Sequence, residues 1–457
     1  MSDSAGPPDV AGSPDSAGPP ESAGARSSAG AAASKGVLGR GSIYTLGTAA
    51  PILANAAVVP VVTRLLGKPE YGVVAVAIVV IQVAMMAGSL GMPSVITRQG
   101  ILAASGVAGA RALLIRGSLM TVALVTAIIL AAPLWSPLVQ APLRTAVLLA
   151  LVASAFFVVV ENSQALLRVL DRPGDFVALS LTATLGGPLL GLALLAQQTS
   201  IERDLSGPEH YLSGLTAGYA AAAFVGLLLC LRGGRPRRDR GDTRAALRMG
   251  LPVIPHLVAL YLANSAVVFL AGHLYDLATA GRIQVALLVA ASPAVITSAL
   301  NNSWAPIVYR ADPHERGAVL EHTARDIATL AALISGGVAL LSPWLMRLAL
   351  DDSYAPLDLV PAVAIGAFGC VLSVAYLANV HLIFTAGRSL GLSLITPLSL
   401  LVGLTCAYLA GRQDLVWLAV AFPATYASLV VGTAWLRRHV GAVSWSEASL
   451  LAPAGLG

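Results

Sequence analysis

Charge is what this sequence has least of. Only 11% of its 457 residues are Asp, Glu, Lys or Arg, where a soluble domain carries about 25% because its surface faces water. A water-facing globule is excluded for most of the chain, and its surface must meet lipid. Aromatic residues amount to 5%, and none surrounds the basic run in mid-chain, so the base-reading partners that nucleic-acid binding requires are missing. The three cysteines, Cys230, Cys370 and Cys406, each lie inside an apolar run, without a CxxC pair or a histidine at metal-ligand spacing. No disulfide, metal or other cofactor is expected. Large polar insertions are lacking too. Catalysis gathers acid, base and nucleophile in a water-accessible place, and the longest outer connection, 197–211, offers Glu202, Asp204, Glu209 and His210, which read as a solvated charged turn. An enzyme is therefore not expected; a membrane glycan polymerase or ligase, the alternative of that class, wants a large outer loop.

What the sequence has is long apolar runs, 56% hydrophobic residues and a mean hydropathy of +0.79. The run 71–91 holds no Asp, Glu, Lys or Arg and is long enough to cross a hydrocarbon core of about 30 Å. Twelve such runs are expected as helices: 43–63, 71–91, 112–132, 145–166, 176–196 and 212–231, then 250–271, 281–300, 327–349, 357–384, 390–410 and 415–436. The fold class is an all-α polytopic membrane protein of about twelve transmembrane helices in two six-helix lobes around a central cavity. Residues 1–34 form an Ala/Gly/Pro/Ser-rich tail that repeats Asp-Ser-Ala-Gly-Pro-Pro from Asp3 and from Asp15 and reads as disordered, with no basic-then-apolar order of a secretory signal. The lobes are 35–231 and 250–436, joined by a basic linker, 232–249, and followed by a short tail, 437–457.

Charge sets the orientation. Lys and Arg are retained on the cytoplasmic side of short loops, and a cytoplasmic N-terminus puts 21 of the 28 there, including the seven arginines of the linker. Acids such as Asp276, Asp351, Asp352 and Asp358 fall on the other side. An odd helix count scrambles this asymmetry across the second half. A multi-pass protein of the cell membrane with both termini cytoplasmic is the expectation, its linker touching anionic membrane lipid.

Polar groups within spans point to a cavity or a helix contact, because burying one in hydrocarbon costs a few kcal/mol. In the first helix Tyr44, Thr48 and Asn55 share a face; in the seventh Tyr261, Asn264 and Ser265 do; Gln284 lies in the eighth. Glu161 is the one acid placed inside a span, with Gln164 and Arg168 on its face, either an ion-coupling site or an intrahelical charge pair. Arg64, Arg98, Arg116, Arg282 and Arg310 adjoin span ends. Each either snorkels to headgroups or, with the others, lines a basic vestibule suited to a diphosphate. Prolines at 51 and 60 in the first helix and at 252 and 255 in the seventh are expected to kink both. Matching breaks in two halves suit an alternating-access transporter. Gly72-Val-Val-Ala-Val-Ala77 and Gly281-Arg-Ile-Gln-Val-Ala286 open the second and eighth helices with a shared G-x-x-x-V-A.

The stretch Pro60-Val-Val-Thr-Arg64-Leu-Leu-Gly67-Lys-Pro-Glu-Tyr71-Gly72, followed by Gly88-Ser-Leu-Gly91-Met-Pro-Ser-Val-Ile-Thr-Arg98, resembles the N-terminal signature of the polysaccharide transporter family. These are Wzx-type oligosaccharide flippases of the multidrug/oligosaccharidyl-lipid/polysaccharide flippase superfamily. Likeness is specific over 41–98, loose to 249 and topological beyond. It implies two lobes around a cationic cavity and transfer of a polyprenyl-diphosphate-linked oligosaccharide from the inner to the outer leaflet, with glycan assembly proteins as partners. By that likeness Arg64, Arg98 and Arg282, then Arg116 and Arg310, contact the substrate. One departure concerns ion coupling: relatives commonly carry an Asp in the seventh helix where this chain has Asn264 and Ser265. A drug or peptide exporter of the same superfamily is the alternative. A major-facilitator carrier fits less well, since 94–111 contains no acid, although Asp171-Arg-Pro-Gly174 resembles a fragment of its loop motif.

Overall fold

The computed structural model describes residues 57–102, 105–197, 207–232, 234, 236, 241–386, 389–446 and 450, all within one compact unit, Tyr44–Gly457. The tail expected at 1–34, Asn55 and most of the first span lie outside the described residues. Among those described there are helices and turns and no strand. Eleven helices are long and apolar enough to cross a membrane, and they coincide with the second to twelfth expected runs; a twelfth piece, Ala57–Leu66, is the end of the first. In lipid every backbone N–H and C=O must be satisfied within its own segment, so apolar runs of this length have the helix as their solution.

In chain order the elements that matter are α1 (Ala57–Leu66), α2 (Lys68–Gly88), α3 (Met92–Leu102), α4 (Gly106–Leu130), α5 (Arg144–Val169), α6 (Pro173–Gln197), α7 (Gly207–Leu231), α8 (Gly241–Gly250), α9 (Ile254–Leu274), α10 (Leu277–Ala290), α11 (Ser292–Arg310), α12 (Arg316–Ala349), α13 (Val360–Thr385), α14 (Leu392–Gly411) and α15 (Ala421–His439). Two stretches expected as connections are helical: α3, and α8 within the basic linker. α12 has 34 residues, about 51 Å at 1.5 Å per residue, so its first three turns outreach the hydrocarbon core. α6 passes through a π turn, Thr182–Gly186. Pro188 lacks an N–H and clashes with the carbonyl four residues back, and the extra residue of the π turn absorbs that conflict. Pro252 and Pro255 sit where α8 passes through a 3₁₀ turn, Leu251–Val253, into α9, within the candidate span Thr243–Ala263, so they interrupt that span's helix as expected of prolines.

Burial reports the duplication. The most buried span windows are those of the second, fourth, eighth and tenth spans, at 56%, 50%, 44% and 67%, while none of the other seven exceeds 39%. The same two positions of each half are thus the inner ones. α5 packs on α2, α4 and α7; its counterpart α13 packs on α12, α15 and α10; the halves meet along α2 against α10 and α9. Contacts between span ends fit alternate crossings. At one end Thr63, Gly72, Leu277, Arg282 and Tyr354 converge. At the other end Arg111 donates to the Cys230 carbonyl at 3.0 Å, Arg116 to Thr243 at 2.9 Å, and Ser393 to the Pro252 carbonyl.

Candidate functional site

The signature stretch folds into a seam between the halves. Gly67 turns α1 into α2 with φ +77°, and Gly91 turns α2 into α3 with φ +69°, backbone that a Cβ disfavours. Gly72 is required for a different reason. It lies in the first turn of α2 against α10, where a Cβ would run into the Leu277 carbonyl, and a Cβ on Gly281 would in turn come within 3.0 Å of the Gly72 nitrogen. The two glycines of the shared G-x-x-x-V-A pattern therefore face each other across the halves.

Around them the end assigned outward by charge is bridged by hydrogen bonds. The Tyr354 hydroxyl donates to the Thr63 carbonyl at 2.9 Å, and the Thr63 hydroxyl donates to the Ala349 carbonyl at 3.1 Å. Arg64 donates to the Leu348 carbonyl at 3.1 Å. Arg282 reaches the Ala355 carbonyl at 3.5 Å and pairs with Asp358 at 3.6 Å. Thr63 and Tyr354 are 0% and 1% exposed, so this seam excludes water. Asp351 accepts the Ser353 N–H, and Asp276 caps α10 by accepting from Thr279; these bonds hold both carboxyls below the usual carboxylate range. A lowered carboxylate contributes stability above its unfolded pKa of about 3.9, lost only on stronger acidification. These two carboxylates therefore keep their bonds between about pH 5 and 8, and any acid sensitivity of the seam in that range originates elsewhere in the protein.

Beneath the seam, between the halves, lies a cleft of about 90 Å³ lined by Val58, Tyr71, Gln82, Tyr211, Tyr219 and Gln284 among others. It is contracted: room for a few waters, not a sugar. Gln284 is the expected site residue that faces it. Arg64 and Arg282 are at the seam. Arg98 is exposed on α3, and Arg116 lines a separate hollow near the other end with Leu119, Met120, Thr243, Arg244 and Leu247. Asn264 lies on α9 and Arg310 ends α11; their side chains, like the whole of Asn55, lie outside the described residues. The described arginines are thus divided between the two ends of the bundle and not gathered in one chamber. Glu161 is half-buried on α5, while Gln164 donates to Ser180 at 2.9 Å and Arg168 lies over the Phe176 ring. The adjacent Asn162 is wholly buried with both amide atoms lacking a partner, the condition of a side chain that holds a water or an ion.

A second polar cavity, of about 460 Å³, lies inside the second half. Two histidines of the apolar runs line it. His256 meets the Thr396 hydroxyl at 2.7 Å through Nδ1 and the Tyr376 hydroxyl at 3.4 Å through Nε2. His381 meets Asn301 Oδ1 at 2.9 Å through Nε2 and the Tyr309 hydroxyl at 3.2 Å through Nδ1. Sequence reasoning weighed acids and arginines inside spans and passed over these rings, although a histidine within an apolar run is the same signal.

Two seamed halves with buried polar cavities make a fold that solved membrane transporters share. The chain is similar, with a TM-score of 0.68 and 16% identity over 86% of its length and 94% of the other's, to the inward-facing conformation of a multidrug resistance MATE family transporter of the MOP superfamily. The outward-facing conformation of such a transporter matches with a TM-score of 0.63 and 15% identity, covering 89% of this chain and 95% of that one. A MOP superfamily transporter from Pyrococcus furiosus, described as having a binding pocket of reverse polarity, matches with a TM-score of 0.62 and 15% identity over 89% and 95%. No family model and no curated protein sequence matches the chain. The chain is a multi-pass membrane protein with the fold of these transporters.

Proposed function

We propose that this chain is an alternating-access transporter that moves a polyprenyl-diphosphate-linked oligosaccharide from the inner to the outer leaflet of the cell membrane, with both termini cytoplasmic. One observation carries the reading. The residues that resemble the flippase signature, Thr63, Arg64, Tyr71 and Gly72, are the ones that close one end of the bundle against the other half. A stretch with that placement must part for cargo to leave. The arginines then mark the two ends of a path. Arg98 and Arg116, with Arg310, receive the diphosphate at the cytoplasmic end, and Arg64 and Arg282 meet it at the outer end, through always-charged, bidentate guanidinium groups. The lipid tail stays in the bilayer while the head group crosses. Glycan assembly proteins on either face are the partners this path serves.

The test is translocation of a polyprenyl-diphosphate oligosaccharide in vesicles that hold the purified protein. Arg64→Ala, Arg98→Ala and Arg282→Ala combined are expected to lower the rate by at least a hundredfold, since losing even one charged contact costs on the order of 1.5–3 kcal/mol, about tenfold to a hundredfold. Normal transport at normal expression overturns the arginine path. A second reading, export of an amphiphilic drug or peptide, is favoured by the cleft between the halves, where Tyr71, Tyr211 and Tyr219 stand among aliphatic groups and no described arginine intervenes; aromatic faces attract organic cations. Cation-stimulated export with no movement of the lipid-linked glycan decides for it.

A further inference from the structure

The cavity inside the second half belongs neither to the seam nor to the cleft. We propose that it is a proton-binding site in which His381 takes the proton, His256 tunes it, and occupancy shifts α11 against α13 so that proton entry opens the seam between the halves. This rests on the transporter reading and names its coupling ion.

The hydrogen-bond partners fix the ring's state. A carboxamide oxygen only accepts, so His381 Nε2 carries the hydrogen that goes to Asn301 Oδ1, and the Nδ1 lone pair accepts from the Tyr309 hydroxyl. A proton arriving at Nδ1 bonds to that lone pair and breaks no covalent bond. It also turns an acceptor into a donor, and the Tyr309 hydroxyl hydrogen must swing away for its oxygen to accept. Tyr309 is 43% exposed while His381 is 3% exposed, so the hydrogen-bonded pair runs from a side chain at the protein surface to a buried base.

The lining selects a proton over a metal cation. Hard cations need several oxygens, carboxylates foremost. The described residues that face the cavity offer His256 from α9, Asn301 and Tyr309 from α11, Tyr376 and His381 from α13, and Tyr426 from α15, besides the neutral hydroxyls of Thr297, Ser298 and Ser373, with no Asp, Glu, Lys or Arg to balance the charge of a metal ion. Behind these, Cys370 lies near Tyr426, α14 contributes Thr396 to His256, and Thr323 of α12 accepts from the Trp304 indole. Arg437, buried on α15, directs a guanidinium N–H to the Trp445 carbonyl. Imidazole is the side chain whose ordinary titration falls between about pH 5 and 8.

The same network ties moving parts together. His381 joins α13 to α11 through both ring nitrogens, and His256 joins α9 to α14 and α13. α11 follows α10 across a one-residue break at Ala291, with Pro293 in its first turn. α10 carries Gly281 and Arg282 into the seam. A displacement of α11 is thus transmitted along α10 to the contact with Gly72.

Trp304 supplies a reporter, because its ring meets the His381 ring edge-on with centroids 4.9 Å apart, and an imidazolium quenches indole emission. The full chain is reconstituted in lipid nanodiscs with His439→Gln, which removes the other Trp–His pair among the described residues, and its fluorescence is titrated from about pH 8 to 3.5. A sigmoidal quench is expected, abolished by His381→Gln and shifted in midpoint by Tyr309→Phe and by His256→Gln. A quench unchanged in all three variants overturns the site. For coupling, Thr63→Cys in a Cys406→Ser background is labelled in vesicles by a membrane-impermeant maleimide. Because maleimide attacks the thiolate, whose share falls with pH, labelling is divided at each pH by that of Gln413→Cys at an exposed turn. This ratio is expected to rise several-fold on acidification, and to stay flat with His381→Gln. A ratio indifferent to pH overturns the coupling. A normal titration and normal labelling in a protein that moves no lipid-linked glycan counts against the transport reading and leaves the proton site standing.

Discussion

Replacing Gly72 with valine is expected to leave the seamed end of the protein unable to close. The argument is steric and begins at the backbone. A Cβ at residue 72 runs into the carbonyl of Leu277, an atom that no rotamer change removes from the way. The strain is relieved only if α2 and α10 move apart, and α2 against α10 is the line along which the halves meet. Overpacking of this kind costs about 1–3 kcal/mol, which shifts a closed–open equilibrium roughly tenfold to a hundredfold. Each half keeps its internal packing, so expression and helicity stay near normal while the seam opens. The Thr63→Cys labelling assay reads this directly, with the labelling ratio at neutral pH as high as the unsubstituted seam reaches only after acidification. Gly281→Val is expected to do the same from the other half, since its Cβ meets the Gly72 backbone at 3.0 Å. Gly337→Ala, with nothing within 4 Å of the added carbon, is the control and leaves labelling unchanged. Low labelling in Gly72→Val removes the seam from the mechanism.

The fold was legible because membrane spans are written in composition. Runs free of charge fix their own helices, and the placement of Arg and Lys in the connections requires an even number of crossings; neither depends on long-range contacts. The duplication was legible at two points, the basic linker and the shared G-x-x-x-V-A, and the second carries structure, since its glycines touch each other. The site was legible less well. Hydropathy locates an arginine at a span end without saying which way it faces, and Arg64 illustrates the difference. It caps the Leu348 carbonyl at a seam, whereas Arg116 lies at the far end beside Thr243. Sequence order places the two only about a quarter of a lobe apart. Helices α3 and α8 were missed because a short helix at the interface is neither long nor apolar enough to show as a run. The histidine pair is not singled out by the sequence because the Tyr, Thr, Asn, Gln, Glu and Arg of the spans outnumber it and nothing in the spacing ties 256 to 381. Only the fold brings residues 256, 301, 309 and 381 to one wall.

Gly218→Leu is expected to give a large loss of stability in the first half. α6 and α7 meet through two pairs of small residues, Gly187 and Gly191 on one and Gly214 and Gly218 on the other, each pair spaced four apart. A Cβ at Gly214 would lie 2.5 Å from the Gly191 Cα, one at Gly191 would lie 2.7 Å from the Tyr211 carbonyl oxygen, and one at Gly218 would meet the Gly187 backbone. In a bilayer no hydrophobic force draws the two helices together, because lipid tails solvate leucine as well as another helix does. Close backbone approach and the dispersion it allows are what hold them. The obstacle is main chain on both sides, so the helices must separate over several turns, and α7 then loses its hold on α5 as well. A cost of about 2–5 kcal/mol is expected, by the scale of large packing defects. Thermal unfolding of detergent-purified protein checks it: Gly218→Leu lowers the midpoint strongly, Gly218→Ala lowers it less, and Gly186→Ala, whose new carbon meets only the Thr182 methyl at 4.0 Å, leaves it in place. The result separates stability from switching. Gly72→Val alters which end is open in a protein that still folds, whereas Gly218→Leu removes the folded half on which any gate depends, and a Gly218→Leu midpoint equal to that of Gly186→Ala would contradict the packing argument.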